Sequence, residues 1–329
     1  EDIGKKISVA DYNAACRKDV MKYTKEWEDL THQMGYWVDM KHPYITYDNR
    51  YIETLWWLLK QLYKKGLLYK GYTIQPYSPA AGTGLSSHEL NQPGCYRDVK
   101  DTTVVAQFKM KNPKPEMTEW GTPYFIAWTT TPWTLPSNVS LTVNPEVDYI
   151  KVAKDGEVYY LCQDLANKVL GEGTYEVLET MKGKDLEYME YEQLMPFVEV
   201  EDKAFFVTCA DYVTTEDGTG IVHTAPAFGE DDYNCGRKYK LPVVQPVDSN
   251  GKFTATPWEG HFVMEDGLDV EIIKWLAAEN KLFSKEKIEH NYPHCWRCGT
   301  PLVYYANPSW YIEMTKLRDQ LVANNNTVN

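Results

Sequence analysis

The sequence predicts an α+β protein in which a β-barrel-like domain with peripheral helices is flanked by a helical and connective section. Apolar residues recur at helical spacing in the first ~70 residues, and from Thr102 the chain changes to short β-rich runs separated by turn residues. Few parallel βαβ units are visible, which favours a barrel or a strongly curved mixed sheet. We therefore expect three segments: residues 1–101, helical and connective; residues 102–285, a β-rich domain; and residues 286–329, a return segment with one C-x-x-C pair and a terminal helix.

Helical periodicity is clearest between Asp48 and Lys65. The apolar residues there follow the spacing i, i+3, i+4, i+7, i+10 and i+11, and they are Ile52, Leu55, Trp56, Leu59, Leu62 and Tyr63. Asp48 is a candidate N-cap and Gly66 a candidate C-terminal stop. Residues 10–30 also have a helical pattern, so we predict a helical start to the chain.

The β-rich segment is read from its short apolar runs. They are "TTVVAQFKM", "PYFIAWT", "VDYIKVAKDGEVYYL", "TYEVLETM", "AFFVTCADYV" and "TGIVHTA". The pair Asp155-Gly156 between two alternating runs predicts a hairpin turn. We expect helical interruptions near Gln163–Leu170, Glu230–Tyr239 and Val270–Asn280, and a last helix from Tyr311.

Composition limits the class of protein. No window approaches the ~20 consecutive apolar residues of a membrane-spanning helix, and the first residues lack a secretory signal. Seven mostly scattered cysteines indicate reduced thiols, so we expect a soluble cytoplasmic protein, and the abrupt start suggests a piece of a longer one. The net charge of −13 argues against a large basic nucleic-acid surface but leaves a local contact open, for example at Lys60–Lys70.

The stretch "WTTTPWTLPSN", from Trp128 to Asn138, follows an apolar run. If the strand continues through the threonines, Thr129 and Thr131 share one face and Thr130 lies on the other. Pro132 cannot donate to a ladder, so strand pairing should end there. The first and third hydroxyls would then project together at a strand end, although threonine also occurs in strands simply because of its β propensity.

A second stretch, "GTGIVHTAPAFGEDDY", spans residues 218–233. It predicts a glycine turn, a short strand Ile221–Thr224 and then a helix that opens with acidic residues. His223 and Asp232 are the candidate functional residues of this stretch. Each also has a structural interpretation, because a strand histidine is often simply hydrogen-bonded and acids are favoured in a first helical turn.

Cys295 and Cys298 form half of a zinc-ribbon pattern, with His290 and His294 nearby. Structural zinc needs four ligands, and no second C-x-x-C pair exists in the chain. The two cysteines are therefore weak metal candidates, and we expect zinc to be absent.

Together these three motifs, in this order and at these distances, resemble the isoleucyl-tRNA synthetases of class I, in particular their large inserted editing domain. Related leucyl and valyl enzymes carry a Thr-Thr-Arg-Pro type motif where this chain has Thr-Thr-Thr-Pro. The segments "YITYDNRYIETLWWLLKQLYKKGLLYKG" and "PYSPAAGTGLSSHEL" look like the family's lead-in to the insert, so the resemblance covers essentially the whole chain.

The resemblance has two departures. The family's ATP-site motifs, His-x-Gly-His and Lys-Met-Ser-Lys-Ser, do not occur in this sequence, so ATP and magnesium are expected to serve the parent enzyme only. Some members place a second C-x-x-C pair where this chain has Ser78-Pro-Ala-Ala81, which breaks the expected four-cysteine site.

The family's function explains why such a domain exists. Isoleucine and valine differ by one methylene, and its burial gives about 10–200-fold discrimination, a figure known from isoleucyl-tRNA synthetases themselves. Translation needs about 10⁴-fold, so a second, smaller site hydrolyses what is mischarged. The resemblance therefore implies hydrolysis of Val-tRNA(Ile), with Ile-tRNA(Ile) excluded and no cofactor required, by a chain that we expect to be a monomer and to bind the tRNA(Ile) 3′ end carrying valine.

The resemblance also implies residue roles. Asp232 would bind the α-ammonium group of valine, and Thr129 and Thr131 would hold the ester, the terminal ribose or the attacking water. His223, assisted by Trp133, would limit the side-chain pocket. The remaining substrate-binding candidates are Thr130, Thr134 and Asn138. Two alternatives stay open: a non-catalytic tRNA-positioning module and a small metal-binding scaffold.

Overall fold

The computed structural model describes residues 2–201 and 203–328. The chain forms two compact units, one made of residues 1–69 and 311–329 and the other of residues 70–310. No helix in the described ranges is both long and apolar enough to cross a membrane.

The first unit begins with helices α1 (Val9–Val20), α2 (Thr24–Gln33) and α3 (Asn49–Lys64). The Asp48 side chain accepts a hydrogen bond from the amide of Arg50 and caps α3. Gly66 has φ of +67°, a left-handed conformation that stops the helix. The predicted helix and both of its end signals are confirmed.

The strands in chain order are β1 (Leu68–Ser78), β2 (Thr83–Gly84), β3 (Tyr96–Lys109), β4 (Pro123–Thr129), β5 (Ser140–Val143), β6 (Asp148–Lys154), β7 (Glu157–Cys162), β8 (Glu176–Lys182), β9 (Phe206–Cys209), β10 (Ile221–Thr224), β11 (Leu282–Pro293) and β12 (Val303–Ile312). The later helices are α4 (Ser87–Leu90), α5 (Ala166–Leu170), α6 (Glu230–Tyr239), α7 (Leu268–Ala278) and α8 (Arg318–Asn325). Short 3₁₀ helices, which include Pro132–Ser137, Gln163–Leu165 and Met314–Leu317, occur between them.

The predicted barrel is present. β3 pairs antiparallel with β4, β4 pairs parallel with β10, β10 pairs antiparallel with β5, and β5 pairs parallel with β9. Two further bridges, Glu190 with Phe206 and Tyr191 with Met110, join β9 back to the end of β3. This circuit curls the sheet into a barrel, which those two single bridges complete.

Additional strands extend the barrel. β7 pairs parallel with the start of β4, and β6 and β8 continue that sheet with antiparallel pairing. Asp155 and Gly156 both have positive φ, as a type I′ hairpin turn requires, so the predicted β6–β7 hairpin is confirmed. β11 pairs with β3 from Tyr96 to Ala106, and β12, β1 and β2 form a separate small sheet.

The barrel core follows the two-residue period of its strands. Phe108 of β3, Phe125 and Ala127 of β4, and Leu141 of β5 are buried in one cluster, whereas Ile126 belongs to a second cluster on the opposite face of the sheet. Thr129 is the next residue in the inward row of β4 after Ala127. The core therefore leads directly to the threonine segment.

Several local predictions were wrong or incomplete. Strands β1, β2, β5, β11 and β12 were not predicted. The last helix begins at Arg318 rather than Tyr311, because β12 continues to Ile312 and a 3₁₀ turn follows. The helix expected at Val270–Asn280 begins and ends two residues earlier.

Candidate active site

The threonine segment leaves the sheet earlier than the sequence indicated. β4 ends at Thr129, and the backbone N–H of Thr131 donates to the Thr129 hydroxyl at 3.1 Å. This local side-chain turn replaces a ladder bond, so the prediction that the strand continues through Thr131 was wrong. The same turn places the two hydroxyl oxygens 3.4 Å apart. The first and third threonines therefore do meet, although by a turn and not by strand alternation.

The next turn of chain binds the histidine of the second motif. Pro132 opens a 3₁₀ helix, in which the Thr134 hydroxyl donates to the Thr131 carbonyl at 2.8 Å. The same hydroxyl lies 2.8 Å from Nε2 of His223. β10 places His223 beside β4 through the parallel pairing of Val222 with Trp128. The sheet therefore joins two motifs that are distant in sequence.

Asn138 holds the other side of the imidazole. Its Nδ2 lies 3.3 Å from Nδ1 of His223 and donates to the Ser140 carbonyl at 2.9 Å. Its Oδ1 accepts from the hydroxyl of Tyr191 at 2.7 Å. Asn138, the last of the substrate-binding candidates, is thus at the centre of a buried polar network.

The donors and acceptors of this network determine the histidine tautomer. Thr134 has one hydroxyl proton and uses it on the Thr131 carbonyl, so it accepts from His223. Nε2 of His223 therefore carries the proton, and Nδ1 accepts from the Asn138 amide. Burial lowers the pKa of His223 to about 4, because the charged imidazolium would lose its hydration. At neutral pH the ring is uncharged and both of its nitrogens are occupied.

The Thr131 hydroxyl makes only long contacts with its neighbours. Its contacts to the hydroxyls of Thr129 and Thr134 are both 3.4 Å, and it is only half-buried. Together with Thr130 and Trp133 it lines a cleft of about 190 Å³. A long contact is readily exchanged for a shorter one, so the Thr131 hydroxyl is available to a ligand in this cleft.

Trp133 links the threonine segment to the second motif. Its indole packs edge to face on Phe228 with the ring centroids 5.0 Å apart. The indole N–H is buried and has no hydrogen-bond partner among the described residues. Trp133 therefore forms a rigid wall of the cleft and carries one donor that the protein itself leaves unused.

Asp232 lies in the first turn of α6, which follows β10 in the chain. Its carboxylate accepts from the backbone N–H of Ala225 at 2.9 Å. Partial burial raises the pKa of Asp232 to about 6; the bond from Ala225 and the nearby Tyr212 hydroxyl oppose the rise, and Asp231 adds to it. Among the described residues, no hydrogen bond joins Asp232 to the threonines, and neither Asp232 nor His223 lines the 190 Å³ cleft. The first motif and His223 thus form one cluster, to which Asp232 is connected through β10.

The structure adds site residues that the sequence did not indicate. Tyr191 is fully buried and orients Asn138, but it lies in an irregular segment with no motif. The cleft is also lined by Val263–Gly267 and Asp269 and by Lys100–Thr102. The bridge from Tyr191 to Met110 and the β3–β11 ladder, which position Tyr191 and Lys100–Thr102, are not visible in the sequence.

Comparison with known proteins identifies the family. The family model for tRNA synthetases class I (I, L, M and V) matches residues 1–329. The chain belongs to the class I tRNA synthetases. An isoleucine–tRNA ligase from Bacteroides fragilis is 54% identical over all of this chain and 34% of its own length. One from Clostridium novyi is 51% identical over 95% of this chain and 29% of its own length. The chain thus spans about a third of the length of these curated relatives, and its resemblance to isoleucyl-tRNA synthetases is confirmed.

Similarity to solved structures is weaker than similarity to the sequence relatives. The cytosolic leucyl-tRNA synthetase editing domain of P. knowlesi is 11% identical, and the match covers 56% of this chain and 95% of that one with a TM-score of 0.44. The family assignment of this class I synthetase chain rests on the sequence relatives.

The C-x-x-C pair does not form a zinc site that fits. Cys298 Sγ lies 3.5 Å from the Ser78 hydroxyl, so the two segments that share a metal in some class I synthetases do meet in this chain. Of the four family positions, Cys295 and Cys298 carry thiols, whereas Ser78 and Ala81 do not, and Ala81 has no side-chain donor atom. In the described ranges no group of three or more His, Cys, Asp or Glu side chains is placed to hold a metal ion. The donor set of this synthetase chain therefore does not match tetrahedral structural zinc.

Proposed function

We propose that this chain hydrolyses mischarged Val-tRNA(Ile) and spares Ile-tRNA(Ile), as the post-transfer editing activity of an isoleucyl-tRNA synthetase. The observation that carries the proposal is the Thr131 hydroxyl. Thr131 lines a small cleft, and a hydrogen-bond network runs from its hydroxyl through Thr134, His223 and Asn138. Such preorganisation suits positioning of an ester and a water molecule.

The reaction requires that the ester and a water molecule are positioned, and it does not require a strong nucleophile. An aminoacyl ester is already labile because its α-ammonium group polarises the carbonyl. Nε2 of His223 donates a hydrogen bond to Thr134, and Nδ1 accepts one from Asn138. This imidazole is therefore not free to take a proton from a hydroxyl or from water. We therefore assign Thr131 to the ester or the attacking water, with Thr129 supporting it through their 3.4 Å contact. Thr130 contributes a second hydroxyl to the cleft.

Asp232 is assigned to the α-ammonium group of valine. Its pKa of about 6 leaves the carboxylate ionised at neutral pH, and an incoming ammonium would lower this pKa by restoring the electrostatic stabilisation that burial removes. A charge-assisted hydrogen bond of this kind would orient the substrate. The indole of Trp133, which lines the cleft, and the uncharged ring of His223, which lies against Thr134, would together limit the space for the side chain and exclude the extra methylene of isoleucine.

The proposal extends to the whole protein. The parent enzyme would join isoleucine to tRNA(Ile) with ATP and magnesium, at a site that lies outside this chain. The partner of this chain would be the tRNA(Ile) 3′ end that carries valine, and editing itself would need no cofactor. We propose that the protein acts in the cytoplasm as a monomer.

A second candidate is a non-catalytic module that positions tRNA. The bond from the Ala225 amide to Asp232 favours it, because this contact stabilises the fold whether or not a ligand binds. In that case the threonines would only pack and Asp232 would only anchor its helix.

Time-resolved deacylation distinguishes the two functions. Val-tRNA(Ile) and Ile-tRNA(Ile) are incubated separately with this chain, and the release of each amino acid is compared with the spontaneous rate. We expect rapid loss of valine only. The variant Asp232→Ala should remove most of this activity. A spontaneous rate for both substrates would leave the positioning module as the function, and full activity of Asp232→Ala would remove the ammonium role.

A further inference from the structure

The C-x-x-C pair lies in a tight loop that the proposed function does not use. A bridge between His294 and Pro301 closes the loop, and the backbone N–H of Gly299 donates to the Cys295 carbonyl at 2.8 Å. The Cα atoms at the two ends of such a turn lie within about 7 Å of each other, and a disulfide spans about 4.4–6.8 Å. The loop therefore holds Cys295 and Cys298 at a separation that a disulfide can bridge.

The two thiols differ in exposure. Cys298 is exposed, whereas Cys295 is fully buried in a cluster with Leu85 and Leu302. A small oxidant in solution therefore reaches the sulfur of Cys298 first, and the thiol of Cys295 is held behind it, away from water. A reactive cysteine beside a second cysteine that resolves it is the usual arrangement of a redox-sensitive thiol.

Two hydroxyl groups surround the sulfur of Cys298. The hydroxyl oxygen of Ser78 lies 3.5 Å from Sγ, and that of Thr300 lies 3.1 Å from it. The Ser78 oxygen accepts a hydrogen bond from the backbone N–H of Ala81 at 3.2 Å, so its own proton is available to the sulfur. These contacts, with Ser78 first, lower the pKa of Cys298 to about 6, so the thiolate predominates at neutral pH.

The donor set that does not match zinc leaves this sulfur reactive. A structural zinc site would commit each thiolate to the metal. In this chain Ser78 stands in place of one such thiol, and it contacts the Cys298 sulfur by a hydrogen bond and not through a shared ion. The sulfur therefore keeps an electron pair with which it can attack an oxidant.

We propose that Cys298 and Cys295 form a redox modification site, at which hydrogen peroxide converts the two thiols to a disulfide. The Cys298 thiolate first attacks one peroxide oxygen, so that an S–O bond forms and the O–O bond breaks. The hydroxide that leaves takes up the proton that the Cys298 thiol had lost, and the sulfur is now a sulfenic acid. The Cys295 sulfur then attacks the Cys298 sulfur, so that the S–S bond forms and the S–O bond breaks. The second hydroxide takes up the Cys295 proton, and the sum is one disulfide and two water molecules from two thiols and one peroxide.

Peptide mapping tests this inference on the unaltered chain. The protein is treated with hydrogen peroxide for increasing times, free thiols are blocked with N-ethylmaleimide, and the chain is digested with trypsin without a reductant. Trypsin cuts after Arg297, between the two cysteines, so a disulfide links two peptides that otherwise separate. We expect the linked pair to form at least about 10-fold faster than Cys16 is oxidised, because the rate follows the thiolate fraction. Cys16 is the matched control, since it is also exposed but belongs to no C-x-x-C pair.

Replacement of Cys295 separates the two chemical steps. Cys295→Ala removes the thiol that resolves the sulfenic acid, so oxidation of Cys298 should stop at that stage. Dimedone traps a sulfenic acid as a covalent adduct, and mass spectrometry should find this adduct on Cys298 in the variant and little of it in the unaltered chain.

Replacement of Ser78 tests the role of the hydroxyl group. Ser78→Ala removes a hydrogen bond to the sulfur and should slow formation of the linked pair about 3- to 10-fold. Thr83→Val is the matched control, because Thr83 pairs with Ser78 between β1 and β2 but its hydroxyl donates to the Gly84 carbonyl. It should leave the rate unchanged, and equal slowing by both variants would overturn the role of Ser78. If Ser78→Ala does not fold, Thr300→Val removes the other hydroxyl and has the same expected effect.

Three results would overturn the redox site. Oxidation of Cys298 no faster than that of Cys16 would show that the loop does not activate its sulfur. A sulfenic acid that persists on Cys298 in the unaltered chain would show that Cys295 does not resolve it. Elemental analysis that finds one zinc ion for each purified chain would make the pair a metal site.

Discussion

Nε2 of His223 lies 2.8 Å from the hydroxyl oxygen of Thr134, although the two residues are 89 positions apart in the chain. The contact joins the threonine motif to the glycine-rich motif. It also fixes which group donates and which accepts in each hydrogen bond between Tyr191 and the Thr131 carbonyl. A histidine that is neutral and fully bonded is a rigid wall and not a proton carrier. This distinction leads to different expectations for each residue of the site.

Replacement of Thr131 should affect the chemical step more than the fold. Thr131→Ala removes the hydroxyl that faces the cleft, and we expect a 10- to 100-fold lower rate of Val-tRNA(Ile) deacylation. Thr131→Ser keeps the hydroxyl and should retain most of the rate. Because the hydroxyl makes only 3.4 Å contacts, the free energy of unfolding should change by less than about 1 kcal/mol. Single-turnover kinetics and urea unfolding measure the two effects, and a change in stability alone would assign the threonine to packing.

Tyr191 should act on the site from a distance. Tyr191→Phe leaves Oδ1 of Asn138 buried without its donor, which costs about 1–3 kcal/mol of stability. It also frees the amide of Asn138 to rotate and loosens His223. We expect lower discrimination between Val-tRNA(Ile) and Ile-tRNA(Ile) as well as lower stability.

Tyr149→Phe is the matched control for this prediction. Its hydroxyl is also buried and donates to the Gly220 carbonyl, but it does not contact Asn138 or His223. Similar destabilisation with unchanged discrimination is the expected result for this variant. If both variants changed discrimination equally, the Tyr191 effect would be a general consequence of lower stability.

The sequence predicted the parts of the site that depend on local chemistry. The motifs marked the threonines, His223 and Asp232 as candidates, and the family resemblance supplied their expected roles. The α6 helix was predicted from its acidic first turn and the Asp155-Gly156 hairpin from its turn residues. Contacts that depend on long-range pairing could not be predicted this way. The cleft needs the β3–β11 ladder, and Tyr191 reaches Asn138 only because isolated bridges close the barrel. The end of β4 was misplaced because a side-chain bond between two threonines competed with strand pairing.

The size gate gives a prediction about the correct product. His223→Ala removes a wall that is buried behind Thr134, and the space should admit the extra methylene of isoleucine. We expect hydrolysis of Ile-tRNA(Ile) to rise at least 10-fold, which corresponds to the discrimination that one methylene supplies. The measurement is the ratio of the two deacylation rates in the variant and in the unaltered chain. A loss of both rates without a change in their ratio would show that His223 supports the fold and does not set the size limit.

Asp232 and His223 should influence the pH dependence of stability in opposite directions. The pKa of Asp232 is raised from 3.8 to about 6 in the folded protein, so its contribution to stability is full at low pH and falls as the pH rises from about 4 to 6. The pKa of His223 is lowered from 6.5 to about 4, so its contribution is full above about pH 6.5 and is lost as the pH falls toward 4. In the unaltered chain the two effects largely cancel.

Single variants should reveal these two opposing pH dependences of stability. The free energy of unfolding of Asp232→Asn, measured relative to that of the unaltered chain, should rise by about 1–3 kcal/mol as the pH increases from 4 to 7. The reason is that the variant no longer has to bury an ionising carboxylate. The same relative free energy of unfolding should fall by about 3 kcal/mol for His223→Gln over this pH range. This variant lacks the buried imidazole whose protonation destabilises the unaltered chain at low pH. Urea unfolding at several pH values measures both differences. Differences that stay constant with pH would show that these side chains titrate normally in the folded protein. A stability gain in Asp232→Asn together with lost deacylation would instead mark Asp232 as a residue kept for substrate binding at the expense of the fold.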